Sequence, residues 1–401
     1  MNNQGHVNSS ALRCMSSSRG FTLVELIVVM AIFMVVIIIT SEAFNRILSI
    51  STQQTQSSES DVQGVIGLEM MRVDLEHAGY GLPWITNFIA DFAEVQAAAG
   101  SPAPGIDSKR FNDINNATSD SNKVPRAIQA AASTTNGRDY LVIKSILAGM
   151  SDTTKKWAFV DGTGGASKIK PWGSNDFVDD EQVITIDSRT KRLIGTSMTA
   201  TDFSYPITAS DMTPPDAFQP EQDTNVFVVY GVKPPTTPAT TLRAPYNRVD
   251  YYVKRPALAT DMPTRCAPGT GILYKAVMKH ADGFFTEYPL LECVADMQVV
   301  FNVAADGVTG VDVDQSGLVG LSAKEIRQQL KMIKIYIVAH EGGKDRSFRY
   351  ATQNLVVGEG NGRPSPEDPN PLDLNALAGV DYMNYRWKTY KLVVVPKNIN
   401  Y

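Results

Sequence analysis

The sequence predicts an α+β protein, in which one long N-terminal helix is followed by a large β-rich globular head. An apolar run, Gly20–Thr40, lies near the start of the 401-residue chain. No proline occurs between Phe21 and Tyr80, and apolar residues recur in this segment at steps of three and four, as on one face of a helix. Beyond Gly81 the chain changes to short β-type runs separated by Pro, Gly, Asn, Asp and Ser.

The predicted helix covers residues 21–77, and its first part, 21–40, has the length and composition of a transmembrane segment. About twenty apolar residues in a helix cross a hydrocarbon layer of roughly 30 Å. Gly79 is suited to the position just after a helix end. We therefore expect residues 1–20 to be a leader, 21–77 a helix and 78–401 the head.

Eight runs in the head have the composition and alternation of strands. They are residues 140–145, 182–187, 225–232, 248–255, 272–278, 297–303, 331–339 and 390–396. Residues 321–330 favour either a short helix or the approach to the next strand. A head of about 320 residues is large enough for two sheets, or for one extended sheet with insertions.

Charge and composition limit the possible functions. The chain is 43% hydrophobic and 20% charged, which is ordinary for a globular protein. Its net charge is −5 and becomes −7 without residues 1–20, because that segment contains Arg13 and Arg19 but no acidic residue. A mildly acidic chain without a basic stripe is not expected to bind nucleic acid. The two arginines before the apolar run predict a cytoplasmic N-terminus and a periplasmic or extracellular head.

One carboxylate, Glu25, interrupts the apolar run. A charged side chain raises the free energy of inserting a membrane span by on the order of 3 kcal/mol, so we expect Glu25 to have a partner that stabilises it. It follows a basic, polar leader that ends in Gly20, with Phe21 directly after it. This arrangement resembles the type IV prepilin signal. The resemblance implies cleavage after Gly20, N-methylation of Phe21 as the new N-terminus, and a role for Glu25 in assembly.

The chemistry of the three positions agrees with that resemblance. Gly20 has no Cβ, so a peptidase can fit closely around the scissile bond. The α-amino group of Phe21 stays positive after methylation, and on a neighbouring subunit it is the natural partner for Glu25. An opposite charge would offset the burial of this carboxylate in a filament core.

Three other kinds of N-terminal segment fit less well. A secretory signal peptide has a shorter apolar core and a small-x-small cleavage site, which TSEAFN matches poorly. A lipoprotein signal places its cysteine after the apolar run, whereas Cys14 precedes it. An uncleaved signal anchor remains an alternative, and it leaves Glu25 and the Gly20–Phe21 junction unexplained.

Three segments of the chain, 71–81, 290–303 and 385–398, resemble PilW-type minor pilins; residues 83–248 do not. The resemblance implies a pilin-like lollipop fold and a low-abundance pilin that primes pilus assembly or lies near the tip. It implies as partners a prepilin peptidase, other minor and major pilins, and an inner-membrane assembly platform. The J-type minor pseudopilin of type II secretion is the alternative within this class. A signal-anchored periplasmic binding protein or enzyme is the alternative from another class.

Two further features of the head concern possible sites. Cys266 and Cys293 remain after the leader is lost, and an even pair in an oxidising compartment favours a disulfide over two free thiols. Closing that loop of about 28 residues would stabilise the fold by roughly 3 kcal/mol.

The second feature is an Asp-rich loop with the spacing of the first three calcium ligands, Asp312, Asp314 and Ser316. Position twelve of such a loop falls on Ala323 rather than on glutamate, so an ordinary turn between strands is the alternative. We expect no other cofactor. The four histidines lack metal-ligand spacing, and we recognise no nucleophile or phosphate-binding motif, so we do not expect an enzyme.

Overall fold

The computed structural model describes most of the chain in two compact units. The described residues are 20–86, 92–96, 103, 105–113, 124–135, 137–162, 168–170, 176–196, 202–221, 225–358 and 371–399. The two units are Met1–Thr55 and Gln56–Tyr401, and each is considered by itself.

The first helix, α1, extends from Leu23 to Glu76, which confirms the long N-terminal helix within two residues at either end. In the first unit its large apolar side chains are exposed to solvent. Every large apolar side chain from Phe21 to Ile39 is at least 50% exposed. By length and composition this helix can cross a membrane.

In the second unit the described residues contain fifteen strands and two further short helices. The strands are β1 (Ile128–Ala132), β2 (Asp139–Ser145), β3 (Trp157–Asp161), β4 (Ile169–Lys170), β5 (Gln182–Asp187), β6 (Ser204–Pro206), β7 (Val226–Lys233), β8 (Asn247–Lys254), β9 (Gly271–Met278), β10 (Phe285–Val303), β11 (Val311–Val313), β12 (Leu330–Glu341), β13 (Asn354–Leu355), β14 (Leu372–Asp373) and β15 (Arg386–Val394). The helices are α2 (Ala323–Gln329) and α3 (Leu374–Ala378).

The strands form two main antiparallel sheets, which confirms the α+β class. The larger has the order β1-β2-β8-β9-β10-β12-β15, with β11 also paired to β10. The smaller has the order β4-β3-β7-β5-β6, and β13 pairs with β14. All eight predicted strand runs overlap observed strands, and the uncertain segment 321–330 forms α2. Its capping box joins Ser322 and Glu325.

The last turns of α1 pack on one face of the larger sheet. Leu68, Met71 and Leu75 are buried there among side chains of the central strands. Two glycines of α1 face β10, and one of them, Gly67, allows the close approach of the helix. A Cβ on Gly67 would lie 2.7 Å from the carbonyl oxygen of Leu290, while a Cβ on Gly64 would find only side-chain atoms, the nearest at 3.3 Å.

A buried acid, Asp74, lies inside this helix–sheet contact. Its Oδ2 accepts a hydrogen bond of 2.6 Å from the Tyr251 hydroxyl and lies 2.6 Å from the Lys275 ammonium. Burial raises the pKa of Asp74, whereas the contacts with Lys275 and Tyr251 act in the opposite direction. The Asp74 carboxylate therefore links the helix to β8 through Tyr251 and to β9 through Lys275.

Residues 105–113 partly cover the opposite face of the larger sheet. Buried charged side chains attach this segment to β2 and β8. The Lys144 ammonium lies 2.9 Å from a carboxylate oxygen of Glu94 and also contacts Asp113. Arg248 of β8 donates to Asn112 Oδ1 and to the Ser108 carbonyl oxygen, both at 2.9 Å, and pairs with Asp250 on its own strand. Charges buried at this depth are tolerated because each has an opposite charge beside it.

The two helix glycines give a matched test of the close approach. We expect Gly67→Ala to lower the free energy of unfolding by about 1–3 kcal/mol, because the new methyl group meets rigid backbone. We expect Gly64→Ala to leave it unchanged or raise it, because Leu291 can move and alanine favours a helix by about 1 kcal/mol over glycine. Urea titration followed by tryptophan fluorescence measures this, since all four tryptophans lie beyond residue 80. Equal losses in both variants would contradict the role assigned to Gly67.

Candidate functional site

The candidate site is the N-terminal end of α1, where only three described residues precede the helix. Gly20 and Phe21 are exposed. A Cβ built on Gly20 meets no atom within 4 Å, and its φ lies outside the left-handed range. The described residues around position 20 therefore do not require glycine there.

Glu25 takes part in the local structure of the helix end. The Thr22 backbone N–H and hydroxyl donate to Glu25 Oε2 at 2.9 and 3.0 Å, and Thr22 Oγ1 accepts from the Glu25 N–H at 3.2 Å. This reciprocal pattern is a capping box, which satisfies two backbone donors at the start of a helix. Both side-chain contacts use Oε2, so among the described residues Oε1 has no partner.

The family model described as the prokaryotic N-terminal methylation motif matches residues 15–41 of this chain. The chain carries a type IV pilin-like prepilin signal. No curated protein and no solved structure matches the chain. The motif begins before the described residues and continues into α1, so the leader with Arg13, Cys14 and Arg19 lies outside them.

The prepilin signal is followed without interruption by the exposed apolar part of α1. Each large apolar side chain between residues 21 and 39 is at least half exposed, so most of this apolar surface has no cover within the first unit as described. Apolar area of this size is stable only against lipid or against other protein surfaces. The first unit is thus suited to a membrane or to a helical assembly.

In the head, Cys266 and Cys293 are joined by a disulfide bond that connects the approach to β9 with β10. His340 lies beside it, and ligand-type atoms of the three residues fall within 4.8 Å of one another. The His340 Nε2 accepts a hydrogen bond of 2.8 Å from the Ala267 N–H. With both sulfurs in the disulfide, the group offers no thiolate to a metal.

The Asp-rich loop has its carboxylates engaged by protein groups. Asp312 accepts a hydrogen bond of 2.7 Å from the Asn302 amide and also pairs with the Lys334 ammonium. Asp314 caps the 3₁₀ turn Gln315–Leu318 and accepts from the N–H and hydroxyl of Ser316. A calcium ion at this loop stays a prediction, and at Asp312 it would compete with Lys334.

Two of the histidines are buried in the head. The His280 Nδ1 accepts a hydrogen bond of 3.2 Å from the Arg243 N–H, and its Nε2 lies 3.1 Å from the Asn247 side-chain oxygen. Burial lowers the pKa of His280 to about 3, with smaller contributions from Lys233 and Arg243. Burial also lowers the pKa of His340 to about 4. Both rings are therefore neutral at physiological pH.

Sequence reasoning missed two partners of the N-terminal and helical acids. Thr22 was overlooked, although the T-x-x-E spacing of Thr22 and Glu25 is a recognised capping signal. Lys275, the partner of Asp74, could not be found in this way, because a strand two hundred residues later in the chain supplies it.

The buried histidines make the stability of the head depend on pH. In the unfolded chain this histidine binds a proton below about pH 6.5, whereas in the folded protein His280 stays neutral down to about pH 3. Acid therefore favours the unfolded state. We expect His280→Gln to reduce the slope of unfolding free energy between pH 6 and pH 4 by about 1.4 kcal/mol per pH unit. Urea titrations at several pH values measure this slope. An unchanged slope would contradict the burial of a neutral imidazole at this position.

Proposed function

We propose that this chain is a minor pilin, most similar to the PilW type, that takes part in priming a type IV pilus or in forming its tip complex. The precursor is anchored in the inner membrane by residues 21–40, with the N-terminus in the cytoplasm and the head in the periplasm. A prepilin peptidase cuts after Gly20, Phe21 is methylated, and α1 then packs against the helices of other minor and major pilins on the assembly platform. The activity is structural and not catalytic.

The observation that carries the proposal is the methylation motif at residues 15–41, which continues into the helix Leu23–Glu76. The surroundings of Gly20 support the cleavage step. Since no atom of the described residues crowds a side chain there, a glycine at this position fits an external requirement such as a peptidase. The helix begins two residues after the proposed cut, so the mature N-terminus would lie directly at the helix end.

The capping box gives Glu25 a second role beside assembly. Because Oε2 is used by Thr22 and Oε1 is open among the described residues, one carboxylate can cap its own helix and still meet a cation. The cation that the proposal supplies is the methylated α-amino group of Phe21 on a neighbouring subunit. Opposite charges attract strongly where water is excluded, which is the condition in a filament core.

The J-type pseudopilin of type II secretion has the same signal and remains the second candidate. The motif is common to both systems, so the neighbouring genes would distinguish them. A signal-anchored binding protein or enzyme is the candidate from another class. It predicts an uncleaved precursor.

Mass spectrometry of the protein purified from its host tests the cleavage step. We expect the mature chain to begin with N-methylated Phe21. We expect Gly20→Val to leave the precursor intact without lowering the stability of the head, because the new side chain has free space around it. A wild-type chain that keeps its first twenty residues would favour the signal anchor.

Variants at two positions separate the assembly role of Glu25 from its capping role. Glutamine can replace glutamate in a capping box, so Glu25→Gln keeps the cap and removes the charge. Thr22→Val keeps the charge and removes the cap, at a cost of about 1 kcal/mol in helix stability. We expect Glu25→Gln and Glu25→Ala to fall at least tenfold in sheared pili, and Thr22→Val to remain near the wild-type amount. Quantitative immunoblots of pili and membranes measure this.

All three variants should still be cleaved, which the membrane fraction reports. Recovery of Glu25→Gln in pili at the wild-type amount would show that the charge is dispensable. Loss of Thr22→Val together with normal Glu25→Gln would assign the function of this pair to helix capping alone.

A further inference from the structure

One lysine and two acids meet in the interior of the head. The Lys144 ammonium, on β2, lies 2.9 Å from Glu94 Oε2 and also contacts Asp113 Oδ2. The side chains of Lys144 and Glu94 are fully buried, and that of Asp113 is 5% exposed. A single amine therefore contacts two carboxylates in a site that is closed to solvent.

Further contacts hold these three groups in a fixed arrangement. Glu94 Oε1 accepts a hydrogen bond of 2.9 Å from the Asp113 N–H, so Glu94 touches both the amine and the other acid. The Lys144 Nζ also donates to the Phe111 carbonyl oxygen at 2.9 Å and lies 5.4 Å from the centre of the Tyr246 ring. Groups oriented in this way react with effective molarities of about 10⁵–10⁸ M.

The two carboxylate oxygens of Asp113 have different surroundings. Oδ2 faces the Lys144 amine and accepts from the Arg126 N–H at 3.1 Å. Oδ1 instead accepts from the Arg126 Nε at 2.7 Å. When a nucleophile adds to Cγ, negative charge develops on the oxygen that is retained, and a guanidinium beside that oxygen stabilises the charge. Oδ1 is thus placed to be retained and Oδ2 to leave.

We propose that Lys144 and Asp113 condense to an amide that joins the segment 105–113 covalently to β2. Glu94 takes a proton from Nζ, and the free amine attacks Cγ of Asp113. The new Nζ–Cγ bond forms, the Cγ–Oδ2 bond breaks, and Oδ2 leaves as water. The ammonium supplies both protons of that water through Glu94, which ends as the carboxylate it was at the start. No atom changes its oxidation state, so the reaction needs no oxidant or reductant.

The buried charges stay balanced after this reaction. The positive charge of Lys144 and the negative charge of Asp113 disappear together. Glu94 keeps a cationic neighbour, because Arg248 Nη1 lies 3.8 Å from Glu94 Oε2. Arg126 keeps an acceptor in the amide oxygen that Oδ1 becomes. Since the site excludes water, hydrolysis of the amide is suppressed. The proposal does not depend on the assembly function.

A second buried pair in the same head supplies an internal control. Lys275 and Asp74 lie 2.6 Å apart, and their side chains are 4% and 8% exposed. The described contact that accompanies this pair is the Tyr251 hydroxyl, which donates to Asp74. No described contact brings a second carboxylate to Lys275, so the pair lacks a base that could accept the proton of the ammonium. We expect it to remain an ion pair.

Mass spectrometry of the denatured full-length protein, with its disulfide reduced, tests the proposal. We expect the intact mass to be lower than that of the linear chain by the mass of one water. Trypsin does not cut after an acylated lysine, so residues 111–123 and 139–155 should be recovered as one branched peptide. The peptide 266–275, which ends at Lys275, should be recovered unlinked.

Two variants assign the roles of the amine and the base. Lys144→Arg keeps the positive charge but offers a guanidinium that stays protonated, so it should show the full linear mass. Glu94→Gln keeps the shape of the side chain and leaves Lys144 beside Asp113. We expect it to slow amide formation in newly synthesised protein by about 100-fold, which is typical for loss of a general base.

The result for the wild-type chain decides the proposal even if a variant folds poorly. Recovery of residues 139–144 and 111–123 only as linear peptides would overturn it. A water loss that persists in Lys144→Arg would place the modification elsewhere and would also overturn it. Equal rates of amide formation in Glu94→Gln and the wild-type chain would overturn the role of Glu94 as the base.

Discussion

The second unit is organised around the contact between the last turns of α1 and the larger sheet. Gly67 lets the helix approach the backbone of β10, and Asp74 pairs with Lys275 inside the contact. Breaking a buried pair by removing one partner typically costs 3–5 kcal/mol, since the other charge is left without compensation. The turn around Tyr80 follows directly from this contact and brings the chain towards the smaller sheet. The position of this turn thus depends on where the helix packs on the larger sheet.

The same helix meets different demands along its length. In the first unit its large apolar side chains are exposed, and the Thr22–Glu25 capping box satisfies backbone donors at its N-terminus. In the second unit its buried face carries Leu68, Met71 and Leu75. A stripe of this kind needs a sheet to cover it, whereas an apolar surface on all sides needs lipid or other helices. The two parts therefore suit two functions, insertion or assembly for one and attachment of the head for the other.

Much of the fold could be read from local pattern. Alternating apolar and polar residues marked the strands of the sheets, and an uninterrupted helical pattern marked α1, because these periodicities are properties of neighbouring residues. The strands that were missed have weaker signals. The sequence of β1, IQAAA, is rich in alanine, which is poorly represented in strands, and tertiary packing decides its conformation.

The sequence by itself determined the prepilin signal, the helix and the β-rich class of the head. Gly20, Phe21 and Glu25 lie within six residues, and a signal in fixed register needs no knowledge of distant parts of the chain. Only the tertiary structure decided which groups meet across long separations. It paired Asp74 with Lys275, enclosed His280 as a neutral ring, and brought Glu94 and Asp113 to the amine of Lys144. Such contacts depend on strand order and register, which local periodicity does not specify.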